Sequence, residues 1–295
     1  MLQHLAYLPN GVLASLGFIF GLLVGSFLNV VIYRLPKMMM HQWTEQSREW
    51  LEIKPTDETG KNVETEEPPT LSKPASHCGN CKTPIKAWQN IPLISYMILR
   101  GKCAACQQKI SLRYPFVELL TGVLSAVVVY HFGFTLESLF GVLLTWILIA
   151  LAFIDFDHKL LPDDLVLPTL WLGLGLTLWP VFASPQDAII GAIAGYLSFW
   201  IVFQIFLRLT GKEGMGYGDF KLMALLGAWL GWQYLPQIIL ISAVLGSIIG
   251  ITMMVVQKAD GKLAIPFGPY IAIGGWVALL WGDELNQAYM GVSGL

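Results

Sequence analysis

Charge is the scarcest commodity in this 295-residue chain: Asp, Glu, Lys and Arg together make up 13% of it, against roughly 25% in a soluble domain. That excludes a single soluble globular domain. The charge is also concentrated, because the 80 residues from Arg34 to Arg113 hold 12 of the 18 cations and 8 of the 20 acids, and the other 215 residues share 18 charges. So thin a coat suits lipid tails and not water. Basic surface is missing too: the net charge is −2, and the cations lie beside apolar runs, which argues against a nucleic-acid partner and for the lipid bilayer. No Lys or Arg precedes Arg34, so the basic n-region of a secretory signal is absent and Leu13–Ile32 reads as a membrane span.

What is present is apolar sequence in spanning lengths. Eight candidate runs stand out: Leu13–Ile32, Phe116–Phe134, Leu139–Ile154, Leu165–Phe182, Ala188–Leu207, Phe220–Leu235, Ile238–Val256 and Ile265–Trp281. Turn signals separate them, including Pro162, Ser184-Pro185, Pro236 and Asp260-Gly261. Twelve cations fall in the first loop, Lys159 in the third, Arg208, Lys212 and Lys221 around the fifth, and Lys258 and Lys262 in the seventh. The positive-inside rule then puts the odd loops in the cytoplasm and both termini outside, which needs an even number of crossings. If one marginal pair does not cross, six remain. The expected class is an all-α polytopic membrane protein of about eight transmembrane helices with a small cytoplasmic zinc-binding insert. Residues 1–36 form its first transmembrane helix, 37–113 the insert, and 114–295 a seven-helix membrane domain.

Cysteine is scarce, and its placing is informative. The chain's four cysteines, Cys78, Cys81, Cys103 and Cys106, form two C-x2-C pairs 21 residues apart. Two such knuckles suit a tetrahedral zinc ion, with Gly79, Gly101, Lys82 and Lys102 supplying permissive backbone or positive charge. Disulfides compete with this reading, but a reducing compartment favours the metal. Four thiolates leave no open position, so such an ion is structural and catalysis lies elsewhere. Upstream, Met38–Pro74 reads as a polar lead-in, with TDETGK at 56–61 and ETEEPPT at 64–70; within it Gln42–Leu51 fits a short amphipathic helix anchored by Trp43, Trp50 and Leu51.

Acids close to hydrocarbon are costly and tend to have work to do. Asp155 and Asp157 follow the third run, Asp163 and Asp164 precede the fourth, and Asp219 enters the sixth behind Gly214, Gly216 and Gly218. Those glycines permit φ > 0 and a close substrate approach. The loop has neither the Walker spacing nor its Lys-Ser/Thr, and no strand with a Rossmann glycine turn is evident. Three readings stay open on residue chemistry: Asp219 caps a helix; the acids carry protons or metal ions across the membrane; or two of them form a hydrolytic pair, one activating water and the other polarising a carbonyl.

GLLVGSFLNVVIYRLP at 21–36, the paired C-x2-C, RYPFVELLTG at 113–122, FIDFDHKLLPD at 153–163, GMGYGDFKL at 214–222 and IPFGPYIAIGG at 265–275 together resemble the type IV prepilin peptidase family. They run in family order over nearly the whole chain, with no departure at a motif position. G-x-G-D alone is shared with other intramembrane aspartic peptidases; the knuckles and the N-terminal block resemble the bacterial bifunctional branch. The resemblance implies an inner-membrane enzyme that cuts the leader from type IV prepilins or type II secretion pseudopilins after a glycine, then methylates the new N-terminus with S-adenosylmethionine. It places the two catalytic aspartates on Asp155 and Asp219. It gives no residue for S-adenosylmethionine; Glu118 and Arg113 are candidates by position, and an Arg-Glu pair anchoring the insert is an equal alternative. A carboxylate-coupled transporter or a zinc-linked pilus or secretion scaffold remain as other classes.

Overall fold

A computed structural model describes residues 8–52, 70–257 and 265–293. Among them the helices are α1 (Asn10–Trp50), α2 (Ile94–Ile98), α3 (Arg113–Phe132), α4 (Leu136–His158), α5 (Asp163–Leu176), α6 (Pro185–Thr210), α7 (Tyr217–Leu230), α8 (Leu235–Gln257) and α9 (Gly268–Ser293). No strand occurs among the described residues beyond two isolated bridges in the insert. TDETGK, ETEEPPT up to its last residue, Asp260-Gly261, Lys258 and Lys262 lie outside the described residues.

Each of the eight apolar runs is built around one of these helices, as an all-α membrane protein requires. Five helices are long and apolar enough to cross a bilayer: α1, α3, α4, α6 and the stretch Trp232–Val256 that includes α8. The shorter α5 and α7 have 14 residues each. At 1.5 Å per residue that is about 21 Å, short of the roughly 30 Å of hydrocarbon. α9 runs to 26 residues but breaks at Trp281 (φ −127°, ψ 20°).

The first helix departs most from expectation. α1 continues through Pro36 to Trp50, 41 residues in all, so the helix expected to stop at 36 and the separate one expected at Gln42–Leu51 are a single element. Proline removes one backbone donor, but MMMHQWTEQ beyond it consists mostly of residues that tolerate helix well. The Thr44 and Ser47 hydroxyls donate to the Met40 and Trp43 carbonyls, each at 2.7 Å. The expected polar lead-in is therefore helical over its first part.

The chain falls into two compact units. One comprises Ile19–Val123, the other Met1–Phe18 with Leu124–Leu295. In the first unit α1 and α3 cross where glycine permits: a Cβ on Gly25 would lie 2.8 Å from the Glu118 Cα, and Asn29 Nδ2 donates to the Tyr114 carbonyl at 3.1 Å. Small residues at such crossings let backbones approach without a hydrophobic driving force.

In the second unit α7 is the central element. From Phe220 to Leu230 every residue except Lys221 is buried, as expected of a helix apolar all round. Gly191 of α6 and Gly227 of α7 meet backbone to backbone. On the other side, Trp229 packs onto Gly173 of α5 and donates its indole N–H to the Thr169 carbonyl at 2.8 Å. This packing anchors α7, the helix that carries Asp219 in its first turn.

Candidate active site

Asp155 lies in the last turn of α4. The helix stops because Lys159 turns left-handed (φ 55°), with its N–H still on the Asp155 carbonyl at 2.8 Å. The Asp155 side chain is only 6% exposed, and its Oδ2 accepts the N–H of Gly268, the first residue of α9, at 2.9 Å. A Cβ at Gly268 would stand 2.7 Å from that oxygen, so glycine alone lets the α9 N-terminus approach the carboxylate.

Asp219 is the third residue of α7 and is 7% exposed. Its backbone N–H donates to the Gly216 carbonyl at 3.2 Å. The Gly216 backbone also hydrogen-bonds its carboxylate, and Gly216 is the N-cap of α7, so the contact that the capping reading requires is present beside the approach of Asp155. The two carboxylates lie near enough for the charge of Asp155 to bear on Asp219, although they stand 64 positions apart in the chain.

A single side chain bridges their surroundings. Leu161, from the linker between α4 and α5, packs where a Cβ on Gly218 would be 2.8 Å away and reaches Gly268, whose Cβ would stand 3.3 Å from its Cδ1. Asp163 and Lys221 close the same junction at its exposed edge, the ammonium lying 2.7 and 2.8 Å from the two carboxylate oxygens. Asp157 and Asp164 are exposed. The Gly214–Gly218 loop works differently from expectation. None of its three glycines has positive φ; what matters is the missing side chain, since Gly214 backs onto Phe206, Gly218 onto Leu161, and Gly216 is open apart from Asp219 Oδ2 at 3.8 Å from its would-be Cβ. Among the described residues the buried Asp, Glu, Lys and Arg side chains are Arg34, Glu118, Asp155 and Asp219.

The four cysteines converge separately, in the Ile19–Val123 unit. Their sulfurs all lie within 4.8 Å of one another, with Cys78–Cys106 at 3.8 Å and Cys81–Cys103 at 4.0 Å. A disulfide needs about 2.05 Å. Tetrahedral ligands at a Zn–S distance of about 2.3 Å stand about 3.8 Å apart. The two knuckles share one fold: the Lys82 and Gln107 amides donate to the Cys78 and Cys103 carbonyls at 3.0 Å, and the Cys78 and Cys103 amides donate to Thr83 and Gln108 at 2.9 and 2.8 Å. Bridges His77–Pro84 and Lys102–Lys109 close them. Positive φ falls at Lys82 and Gln107, both 58°, and at Gly101, 66°; Gly79, expected to help, faces open space. The Cys81 thiol is pushed down to about 6, first by its hydrogen bond with the Thr83 hydroxyl, so this ligand is thiolate-prone.

Glu118 does not stand free as a candidate base. Its Oε2 accepts the Leu93 N–H at 2.9 Å, and the Ser26 side chain bonds it too. Sequence reasoning missed this contact, because nothing local in PLIS at 92–95 signals a partner 25 residues on. It gives no role to Gly268 either, although that glycine lies within IPFGPYIAIGG.

Comparison with known proteins bears on both units. The family model for the bacterial peptidase A24 N-terminal domain matches residues 19–132, and that of the type IV leader peptidase family matches residues 142–251. The first span contains all four cysteines and the second both aspartates. A prepilin leader peptidase/N-methyltransferase of Stutzerimonas stutzeri is 55% identical over 272 residues, 92% of each chain. Its counterpart in Pseudomonas aeruginosa is 52% identical over 274 residues, covering 93% of this chain and 92% of that one. That of Neisseria gonorrhoeae is 48% identical over 270 residues, 92% and 91%. No solved structure matches.

Proposed function

Since the chain belongs to the type IV leader peptidase family, we propose that it removes the leader of type IV prepilins, and of type II secretion pseudopilins, by means of Asp155 and Asp219, and then N-methylates the trimmed chain. The observation that carries the peptidase reading is the approach of two buried carboxylates from different helices, with the backbone at Gly216 left open beside Asp219.

The chemistry needs one proton held between the two groups. The ionised carboxylate takes a proton from water as its oxygen bonds to the scissile carbonyl carbon, and the protonated one gives its proton to the carbonyl oxygen. The tetrahedral intermediate then collapses: the C–N bond breaks, the carboxyl that took the water's proton gives it to the departing nitrogen, and the hydroxyl proton returns to the other carboxylate. Gly268 N–H holds Asp155 in orientation through this cycle.

The cation distribution supports a cytoplasmic site with both termini outside, eight crossings and an inner-membrane location. The four cysteines suit one structural zinc ion, which when bound ties the two knuckles together. Methyl transfer is assigned to the Ile19–Val123 unit, which corresponds to the separate N-terminal family domain. S-adenosylmethionine is its methyl donor on this reading. The described residues contain no strand and so no Rossmann-type cofactor turn.

The test is to incubate purified protein with a prepilin and S-adenosylmethionine and weigh the product. Asp155→Asn and Asp219→Asn should each abolish cleavage while leaving membrane insertion intact. Full processing by either variant overturns the assignment.

A further inference from the structure

The two helices that flank the cysteine-bearing insert each contribute one buried ionisable side chain: Arg34 of α1, 8% exposed, and Glu118 of α3, 9% exposed. A buried charge is expensive unless it is hydrogen-bonded. Both spend their hydrogen bonds chiefly on backbone. Arg34 Nη1 donates to the Thr70 and Leu71 carbonyls at 2.9 and 3.4 Å, and its Nη2 to the Pro74 carbonyl at 2.7 Å. Only a planar fork with several donors serves three carbonyls together. Glu118 Oε2 accepts the Leu93 N–H at 2.9 Å.

Leu93 is no ordinary acceptor's partner. Its φ of 58° and ψ of −47° put it at the centre of a γ-turn closed by the Ile94 N–H on the Pro92 carbonyl at 2.5 Å. A leucine holds that conformation only when its surroundings over-determine it, and the Glu118 carboxylate does so by capturing the amide that the turn directs at it. Both grips have the same relation to the cysteines. Thr70–Pro74 leads into Cys78 and Cys81; Leu93 and the short helix α2 lead into Cys103 and Cys106. The two gripping helices are themselves locked at the Gly25–Glu118 crossing.

We propose that Arg34 and Glu118 are positioning residues, which dock the chain ahead of each cysteine knuckle onto α1 and α3 and so set the geometry for methyl transfer. Glu118 acts as a hydrogen-bond acceptor for the strained turn and is not the base that receives the amine proton. The inference rests on the assignment of methyl transfer to the Ile19–Val123 unit.

The test uses the full chain in detergent, with Glu118→Ala, Glu118→Gln, Arg34→Ala and Arg34→Lys. Three properties are read: amide hydrogen exchange at Leu93 and at Thr70–Lys73, methyl transfer from S-adenosylmethionine to a pre-cleaved pilin resolved into kcat and KM, and prepilin cleavage. Glu118→Ala should speed Leu93 exchange by about tenfold or more and lower the kcat of methyl transfer to a similar degree. Glu118→Gln should stay within about threefold of the parent in both, because its amide oxygen still accepts the Leu93 N–H. Arg34→Ala should speed exchange over Thr70–Lys73 and lower kcat, with Arg34→Lys in between, because a single ammonium cannot span three carbonyls. Cleavage should remain within about twofold throughout, since the aspartate pair belongs to the other unit.

Glutamine as inactive as alanine in methyl transfer, with Leu93 still protected, makes Glu118 a proton acceptor and overturns the proposal. Unchanged exchange in both alanine variants also overturns it, as does faster exchange with normal methylation. Failure of the underlying assignment has a distinct signature: the parent protein itself transfers no methyl group, while the exchange differences remain.

Discussion

Replacing Gly268 by alanine tests the active-site geometry at its tightest point. An added Cβ would stand 2.7 Å from Asp155 Oδ2, 3.1 Å from its Cγ and 3.3 Å from Leu161 Cδ1. Ordinary contact begins near 3.4 Å, so the carboxylate must retreat by about 0.7 Å or the start of α9 must swing out, and either motion breaks the 2.9 Å hydrogen bond from Gly268. A misplacement of order 1 Å at a reacting group costs about 10²-fold in rate, and losing a hydrogen bond to a charged group costs about 1.5–3 kcal/mol, the same range. The kcat for prepilin cleavage should therefore fall on the order of 10²-fold. On the proposed assignment the perturbed atoms are those of a catalytic carboxylate, so KM should change little. The assay is the initial rate of leader release by the purified variant in detergent, with the thermal midpoint measured in parallel. Gly175→Ala is the control, for a Cβ there meets nothing within 4 Å. A Gly268→Ala enzyme cleaving within about threefold of the parent, with its fold intact, would falsify the claim that the α9 N-terminus orients Asp155.

Two further expectations follow from the packing and from the cysteine unit. Gly227→Ala should abolish folded protein in detergent extracts, because its Cβ would collide with the Gly191 backbone, which cannot rotate away; Gly175→Ala should be neutral or stabilising by up to about 1 kcal/mol through helix propensity, and recovery by gel filtration separates the two. In metal-free protein, iodoacetamide should label Cys81 first. Its pKa of about 6 lies below the ordinary thiol value, so the thiolate persists at neutral pH and the rate falls as pH drops through 6. Thr83→Val, which removes the largest cause of that shift, should slow labelling at pH 7, as peptide mass spectrometry can show; equal labelling with and without the hydroxyl would exclude its role.

The sequence was most legible where a pattern is local. The apolar runs, the paired C-x2-C and the placing of Asp155 and Asp219 beside run boundaries are all properties of short windows, and each run lies on a helix. Legibility failed where the outcome depended on tertiary competition. The first helix is expected to end at residue 36, yet α1 continues to Trp50, since good helix formers beyond Pro36 outweigh the one bond that proline removes. The glycines of GMGYGD read as dihedral freedom, whereas the fold uses the space they leave for Phe206 and Leu161, neighbours that no local window reveals. The same holds for Leu161 itself. In sequence it is one of two leucines in a linker; in the fold it lies against both Gly218 and Gly268, so its side chain joins the neighbourhoods of the two aspartates. Its bulk fills the space that the missing side chains leave at both glycines, so the linker between α4 and α5 is packed against the α7 and α9 N-termini by a single residue.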